Sequence, residues 1–423
     1  MGIRDNFSTN TDSNTSLNLM DPCYQEFDRM DFISDDFFEM DFTSVRNRTN
    51  CSGTLHTWTH SGKPLFIQVF GETMYAWLTP VILIIGILGN SLSLSVFTSK
   101  NMRSLSASNY LAALSLSDLM TLIFFVFIQW LQRGLKLLPG HVRVDFLAVT
   151  GVCHLLMYLG YIFRFLSAWL VVIFTVERYI GVCHPLRRRS ISTASSRKII
   201  LCLVLVSAVL LIYKPILSGP IEMVGEKHCV SLPEHKKVSE ILDSIYGVLI
   251  TLVPFILITA LNLLIIRKLV QRNRRQRECS VMTEESIIRL EFTLILLAIS
   301  LCFIAFNLPY FTFWIQTVFE SKTQKSAYDL TSKSHTTGVL YIVRAIFYMN
   351  YCVNFFLYSI TGAYFRREVK MIFRYKMGQG GGYSKCSKAH YQNSQTNQTW
   401  TSDAHQQPGR TCNDIPLMQL RKT

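Results

Sequence analysis

Along the chain, apolar positions gather into seven stretches of roughly 20 residues each, the length a helix needs to cross the hydrocarbon of a bilayer. They run from Trp77 to Phe97, Tyr110 to Trp130, Val152 to Val176, Ile199 to Leu217, Ile245 to Ile266, Phe292 to Phe313 and Val339 to Ala363. A soluble helix keeps one face wet, whereas the first, fourth and fifth stretches are apolar all round. No water reaches an open backbone in hydrocarbon, so a spanning segment must bond internally. The pattern therefore predicts an all-α membrane protein, a seven-transmembrane helix bundle over residues 74–363. After it, Phe365, Val369, Ile372 and Phe373 recur at helical spacing opposite Arg366, Arg367, Lys370 and Arg374. That is an amphipathic helix over residues 364–376, lying on the lipid of the inner leaflet. Residues 377–423 are Gly, Gln, Asn, Ser and Thr without period and predict a disordered cytoplasmic tail. The absence of an internal repeat speaks against an inverted-repeat transporter.

Composition agrees: 49% of the 423 residues are hydrophobic and only 17% charged. Lys and Arg number 42 against 28 for Asp and Glu, but the excess is segregated, which fits an oriented object and not a nucleic-acid binder. Cytoplasmic loops carry the basic excess. Lys100 and Arg103 follow the first stretch and Arg187, Arg188 and Arg189 the third; Arg267, Lys268 and Arg272 follow the fifth, and Arg366 and Arg367 the seventh. These ends are predicted inside and the amino terminus outside. Residues 1–73, acidic and carrying sequons at Asn6, Asn14, Asn47 and Asn50, read as an extracellular glycosylated tail. With no apolar run before Trp77, the first span itself is expected to direct insertion. Eleven cysteines are too sparse for a disulfide scaffold, and no Cys-x-x-Cys pair suggests zinc. Cys23 with Cys51 can close a loop in the tail, and Cys386 can carry palmitate or remain a free thiol.

Polar groups inside a span are costly, about 2.5 to 3.5 kcal/mol for an ionisable one, and mark function or internal pairing. Asp118 lies midway along the second span, Asn90 in the first, Ser167 in the third, and Asn350 and Asn354 in the seventh. They serve either as interhelical hydrogen bonds or as a polar cavity around one carboxylate, where neutral oxygens and Asp118 suit a hard cation such as sodium. Glu177-Arg178-Tyr179 ends the third span, and Cys153 stands about 37 Å above Arg178 along the helix, near the opposite membrane face. With Cys229 in the next external loop, a disulfide from Cys153 is permitted by the oxidising exterior.

These residues carry a resemblance. The chain resembles the rhodopsin-like, class A, G protein-coupled receptors over roughly Met74 to Lys376. It does so through Gly89-Asn90, Leu114-Ser115-Leu116-Ser117-Asp118, Cys153 with Glu177-Arg178-Tyr179, His184-Pro185-Leu186, Pro254, Phe303 with Pro309, and Asn354 with Tyr358. The resemblance implies a G protein switch at Glu177, Arg178, Tyr179 and Tyr358, and a Cys153–Cys229 disulfide. It further implies an allosteric sodium pocket of Asp118, Ser167, Asn350 and Asn354, and inner loops that engage a heterotrimeric G protein, with arrestin as a further partner. Departures stand beside it. The fourth span lacks the family's tryptophan, the sixth-span toggle is Asn307 in Phe306-Asn307-Leu308-Pro309, Asn262 replaces a common tyrosine, and the seventh-span Asn354-Phe355 lacks the proline that would kink it. The combination resembles invertebrate neuropeptide receptors of the FMRFamide-receptor-like group.

Two ligand classes are discounted by position. Where amine receptors carry an aspartate this chain has Gly160, and where opsins carry the retinal-linking lysine it has Tyr348. Instead Arg164 and Arg344 lie in the spans, about 21 Å above Arg178 and about 15 Å above Asn354. Either they pair with carbonyls or with Gln129, or they floor a cationic pocket for a carboxylate or the carbonyl-rich end of a peptide, walled by Tyr161, Trp130, Tyr246, Tyr341 and Tyr348. The acidic, Phe-rich segment around Asp35, Asp36 and Glu39 can steer a basic peptide or be simply solvated. The leading expectation is a multi-pass plasma-membrane receptor for an extracellular neuropeptide, without catalytic chemistry. The alternatives are a chemoreceptor for a small organic or anionic ligand and, on weaker grounds, a membrane enzyme or channel. Neither His-Glu-x-x-His nor Gly-x-Ser-x-Gly occurs, and no intramembrane carboxylates pair in sequence.

Overall fold

Among the described residues six helices are long and apolar enough to cross a membrane, seven when one bent pair counts as a single span. The computed structural model describes residues 66–140, 144–184, 193–223, 226–276, 284–323 and 330–376. The sequons, the acidic segment, Cys23, Cys51, Cys386 and the 377–423 tail lie outside these residues. The spans are α1 (Phe66–Phe97), α2 (Ser106–Leu137), α3 (Val152–Cys183), α4 (Ala194–Leu217), α5 (Pro233–Gln271) and α6 (Leu290–Thr317, within a helix Glu284–Thr323). The seventh is α7 (Leu330–Met349) with α8 (Asn354–Thr361), and α9 (Ala363–Lys376) follows.

Helices outrun the hydropathy pattern at the same end of the bundle. α1 begins at Phe66, not Trp77, α2 continues from Trp130 to Leu137, and α5 begins near Pro233, not Ile245. Hydropathy marks only the segment inside hydrocarbon, whereas backbone hydrogen bonds propagate a helix past it. α3 is the central element: it packs against α2, α4, α5 and α6, and its apolar window is the most buried of the six spans. α4 is the most peripheral, with Leu201, Leu205 and Val209 exposed one turn apart as an apolar stripe suited to lipid. α1 meets α7 at glycines. A Cβ on Gly71 would lie 2.3 Å from the Gly338 carbonyl oxygen, and one on Gly338 2.4 Å from that of Ile67, so neither position admits a side chain without separating the helices.

The seventh span bends by 44° between Met349 and Asn354 although no proline stands there. Asn90 of α1 accounts for the break: its amide donates to the Tyr351 carbonyl at 2.7 Å as well as to Gly86 O at 2.9 Å. A side chain that satisfies a freed carbonyl stabilises a kink as a proline would. The missing proline therefore costs the chain no bend.

Between α4 and α5, β1 (Ser218–Met223) pairs antiparallel with β2 (Glu226–Ser231), placing Pro220 opposite Cys229. Cys229 is disulfide-bonded to Cys153 in the first turn of α3, the two Cα atoms 5.6 Å apart. α3 starts after Gly151, whose φ of 91° only glycine adopts freely. The chain divides into two units, residues 1–368 and 369–423, with the boundary inside α9. In the first unit Phe365 packs on Phe97 and Tyr358, with ring centroids 5.3 and 5.7 Å apart.

The 76-residue separation of Cys153 and Cys229 makes their bond worth up to about 4 kcal/mol in chain entropy. Cys229→Ser is expected to lower both surface level and the unfolding temperature of the purified chain. Surface staining and a melting curve matching the unmodified protein would show the anchor to be dispensable.

Candidate functional site

Three buried polar clusters lie along the bundle from the hairpin end to the Arg178 end. In the first, Arg164 is 2% exposed, its Nε donates to Gly160 O at 3.1 Å, and its Cζ stands 3.9 Å from the Phe125 ring centroid and 4.6 Å from that of Tyr161. Tyr246 completes the box. Its ring lies 4.4 Å from Tyr161, and its hydroxyl donates to the Tyr161 carbonyl at 3.0 Å. Stacked aromatic faces are what a buried guanidinium needs where water is absent. Arg344, likewise 2% exposed, stands among the hydroxyls of Tyr75, Tyr310, Tyr341 and Tyr348. Arg133, three residues past the end of the hydropathy-defined second span, bonds Gln129. All three arginines lie within electrostatic reach of the Tyr310 hydroxyl. A narrow cleft of about 20 Å³ adjoins this cluster, lined by Phe125, Gln129, Gly160, Tyr161, Arg164 and Cys229.

The structure thus gathers Gln129, Gly160, Tyr161 and Arg164 at one cleft. Arg344 and Tyr348 form a tyrosine-rich partner cluster on α7, and Trp130 turns to α1, donating Nε1 to Ala76 O at 3.0 Å. Asn307 is spent within its own helix, donating to Phe303 O at 2.7 Å. Sequence reasoning passed over a second buried group beside Tyr161, the ion pair of Lys214 Nζ and Asp243 Oδ2 at 3.0 Å. The available signal was a lysine before a proline inside the fourth apolar stretch. Asp243 escaped notice because hydropathy starts the fifth span two residues after it.

The second cluster surrounds Asp118, which is 0% exposed. Ser167 of α3 donates to Oδ1 at 2.5 Å and Asn354 of α8 to Oδ2 at 2.6 Å, so one carboxylate joins three helices. Asn350 is buried nearby in the α7–α8 break, but among the described residues no hydrogen bond links it to Asp118. The third cluster is Glu177 with Arg178, paired at 3.1 Å and each 7% exposed, with Ser106 of α2 donating to the other Glu177 oxygen. Arg178 also stands 5.4 Å from the Phe174 ring centroid. Tyr358 is fully buried, edge-on to Phe97 at 5.0 Å. The guanidinium is therefore folded back onto its own helix rather than extended from the bundle.

The chain is 25% identical to the human cysteinyl leukotriene receptor 2 over 315 residues, which is 73% of this chain and 84% of that receptor. It is 26% identical to the Drosophila melanogaster FMRFamide receptor over 69% of this chain and 52% of the relative. To the Gallus gallus thyrotropin-releasing hormone receptor it is 29% identical over 36% of this chain and 38% of the relative. The family described as 7 transmembrane receptor (rhodopsin family) matches residues 89–358, from the glycine beside Asn90 to Tyr358. The chain belongs to the rhodopsin family of seven-transmembrane receptors.

Proposed function

We propose that the protein is a plasma-membrane receptor that binds an extracellular peptide at the hairpin end and passes that binding to a heterotrimeric G protein at the Arg178 end. The observation that carries the ligand assignment is the trio of arginines, two of them buried, set among tyrosines beside a glycine. A cationic, aromatic pocket selects a carboxylate, an acidic side chain or a run of carbonyls, and Gly160 offers a protonated amine nothing to pair with. The loop charges support an extracellular amino terminus, since the basic ends of the spans fall on the Arg178 side. FMRFamide and thyrotropin-releasing hormone receptors among the relatives favour a peptide. A second reading, a small acidic lipid, is favoured by the leukotriene receptor relative, which is matched over more of its length.

Asp118 and Ser167 carry the oxygens a hard cation takes, a carboxylate and a hydroxyl, and a cation seated there would displace the hydrogen bonds that Ser167 and the Asn354 amide nitrogen donate to the carboxylate at 2.5 and 2.6 Å. Sodium there would supply the positive charge that holds the carboxylate ionised, and the Asn354 amide would have to turn its oxygen inward to join Asn350 as a further ligand. The three helices meeting at the carboxylate would be fixed together in the resting state.

Two measurements test these assignments. A library of amidated neuropeptides and acidic lipids, applied to cells expressing the chain and read by calcium and cAMP, is expected to yield a peptide agonist. Arg344→Ala should then weaken its potency by about 10- to 100-fold, with Arg344→Lys recovering only part, because an ammonium lacks the planar fork. Equal potency of the Arg344→Ala variant would remove the arginine pocket from the binding site. Separately, sodium chloride is expected to raise the unfolding temperature of the purified chain relative to an organic-cation chloride at equal ionic strength, by ligand-binding linkage. Asp118→Asn should abolish the difference; superimposable curves for the unmodified chain would exclude a sodium site.

A further inference from the structure

Lys214 is 0% exposed and Asp243 is 4% exposed, and a polar network surrounds them. Lys214 Nζ of α4 lies 3.0 Å from Asp243 Oδ2 of α5 and donates to Ser231 Oγ of β2 at 3.5 Å. Ser239 of α5 donates to the same carboxylate oxygen at 3.1 Å and shares a hydrogen bond with Ser231 at 2.8 Å. The other oxygen of Asp243 accepts from Tyr213 of α4 at 3.1 Å and from Tyr161 of α3 at 3.3 Å. Four elements therefore converge on one carboxylate: α3, α4, α5 and, through Ser231, the hairpin that the disulfide anchors two residues away.

Two features make this more than a structural cross-tie. Arg164 rests on the Tyr161 ring at 4.6 Å as well as on Phe125 at 3.9 Å, and Lys214 Nζ stands 4.8 Å from the centroid of the Tyr161 ring. The tyrosine hydroxyl belongs to Asp243 while its face belongs to the ligand cleft. Moreover, a buried pair of opposite charges is a poor source of net stability, because desolvation offsets the attraction, but it is costly to separate once formed. Such a pair specifies one arrangement of its helices against others.

We propose that Lys214 and Asp243 are positioning residues for the response to ligand: the pair holds Tyr161, and through it Arg164, in the resting arrangement, and latches the hairpin and the hairpin-end turns of α5 to α3 and α4. A ligand that draws on Arg164 or Tyr161 works against this latch, and the energy of the two arrangements is set by whether the Asp243 hydrogen bonds persist. The inference rests on the receptor reading above for its signalling consequence, but its structural part stands apart from it.

The test uses the full chain in lipid nanodiscs without added ligand. Lys214→Met with Asp243→Leu replaces the pair by apolar side chains of similar bulk, and Tyr161→Phe removes one hydroxyl without burying a charge. Hydrogen exchange is measured along β2 and the hairpin-end turns of α5, and nucleotide exchange on a panel of heterotrimeric G proteins in the same samples. The double variant is expected to exchange faster in both segments together and to raise ligand-independent nucleotide exchange by about threefold or more, as a shift of a two-state equilibrium requires. Tyr161→Phe should move both readings in the same direction by less, and adding it to the double variant should change nothing further, because the hydroxyl acts through Asp243. Normal hydrogen exchange in the variants overturns the latch, and so does nucleotide exchange left at the unmodified level by a chain that itself stimulates the G protein. If neither the unmodified chain nor any variant exceeds the receptor-free baseline, the G protein reading is what fails, and the paired hydrogen exchange of hairpin and α5 decides the latch alone. Should the double variant fail to fold, Tyr161→Phe decides it by the same two readings.

Discussion

A polar group inside hydrocarbon must find its partner in the protein, and in this bundle the buried carboxylates Asp118, Asp243 and Glu177 do so by joining separate helices. Asp118 accepts from α3 and α8 at 2.5 and 2.6 Å, Asp243 gathers α3, α4 and α5, and Glu177 holds both Arg178 and Ser106 of α2. Apolar packing alone gives little preference for one register over another where lipid is as apolar as leucine. The polar joints supply that preference, and the same scarcity of alternatives makes them the places where the bundle can hold two arrangements. Asn90 shows the rule at its simplest, substituting for a proline by satisfying the carbonyl that the α7–α8 break exposes.

The joints also lie in an order that matters for signalling. Arg164 and Ser167 are one turn apart on α3, so the floor of the cleft and the Asp118 cluster share a helix face. Tyr351, in the α7–α8 break, lies within electrostatic reach of both Arg164 and Asp118, and Tyr358 within reach of Asp118. Arg164 and Asp118 thus have Tyr351 in common reach, and Tyr110 lies within reach of Glu177 and Arg178. Proximity of this kind is a route along which two global states can be biased, and the proposed function needs such a bias: ligand must favour one state at one end while the G protein favours it at the other.

Much of the fold was legible because the hydrocarbon imposes a length and a composition that few other constraints produce. The spans follow from that imposition, as do Asp118, Ser167, Arg164 and Arg344 as buried groups. What escaped is what hydropathy does not measure. Asp243 and Arg133 lie just past the ends of apolar runs, on helical turns that backbone bonding carries beyond the hydrocarbon, and Lys214 is masked by its apolar neighbours. The kink without a proline escaped for a different reason. Its cause sits on α1, 261 residues from Tyr351, and no local pattern encodes a contact of that separation.

The central claim is that binding at the hairpin end changes what Arg178 presents at the other. It is tested most directly by guanine-nucleotide exchange on purified heterotrimer, driven by the purified chain in nanodiscs with an agonist drawn from the peptide library. The account predicts that agonist accelerates exchange with the unmodified chain, and that Arg178→Ala still binds the agonist but accelerates nothing. Undiminished exchange from the Arg178→Ala chain, or saturable agonist binding to the unmodified chain with no exchange from any heterotrimer, would contradict it.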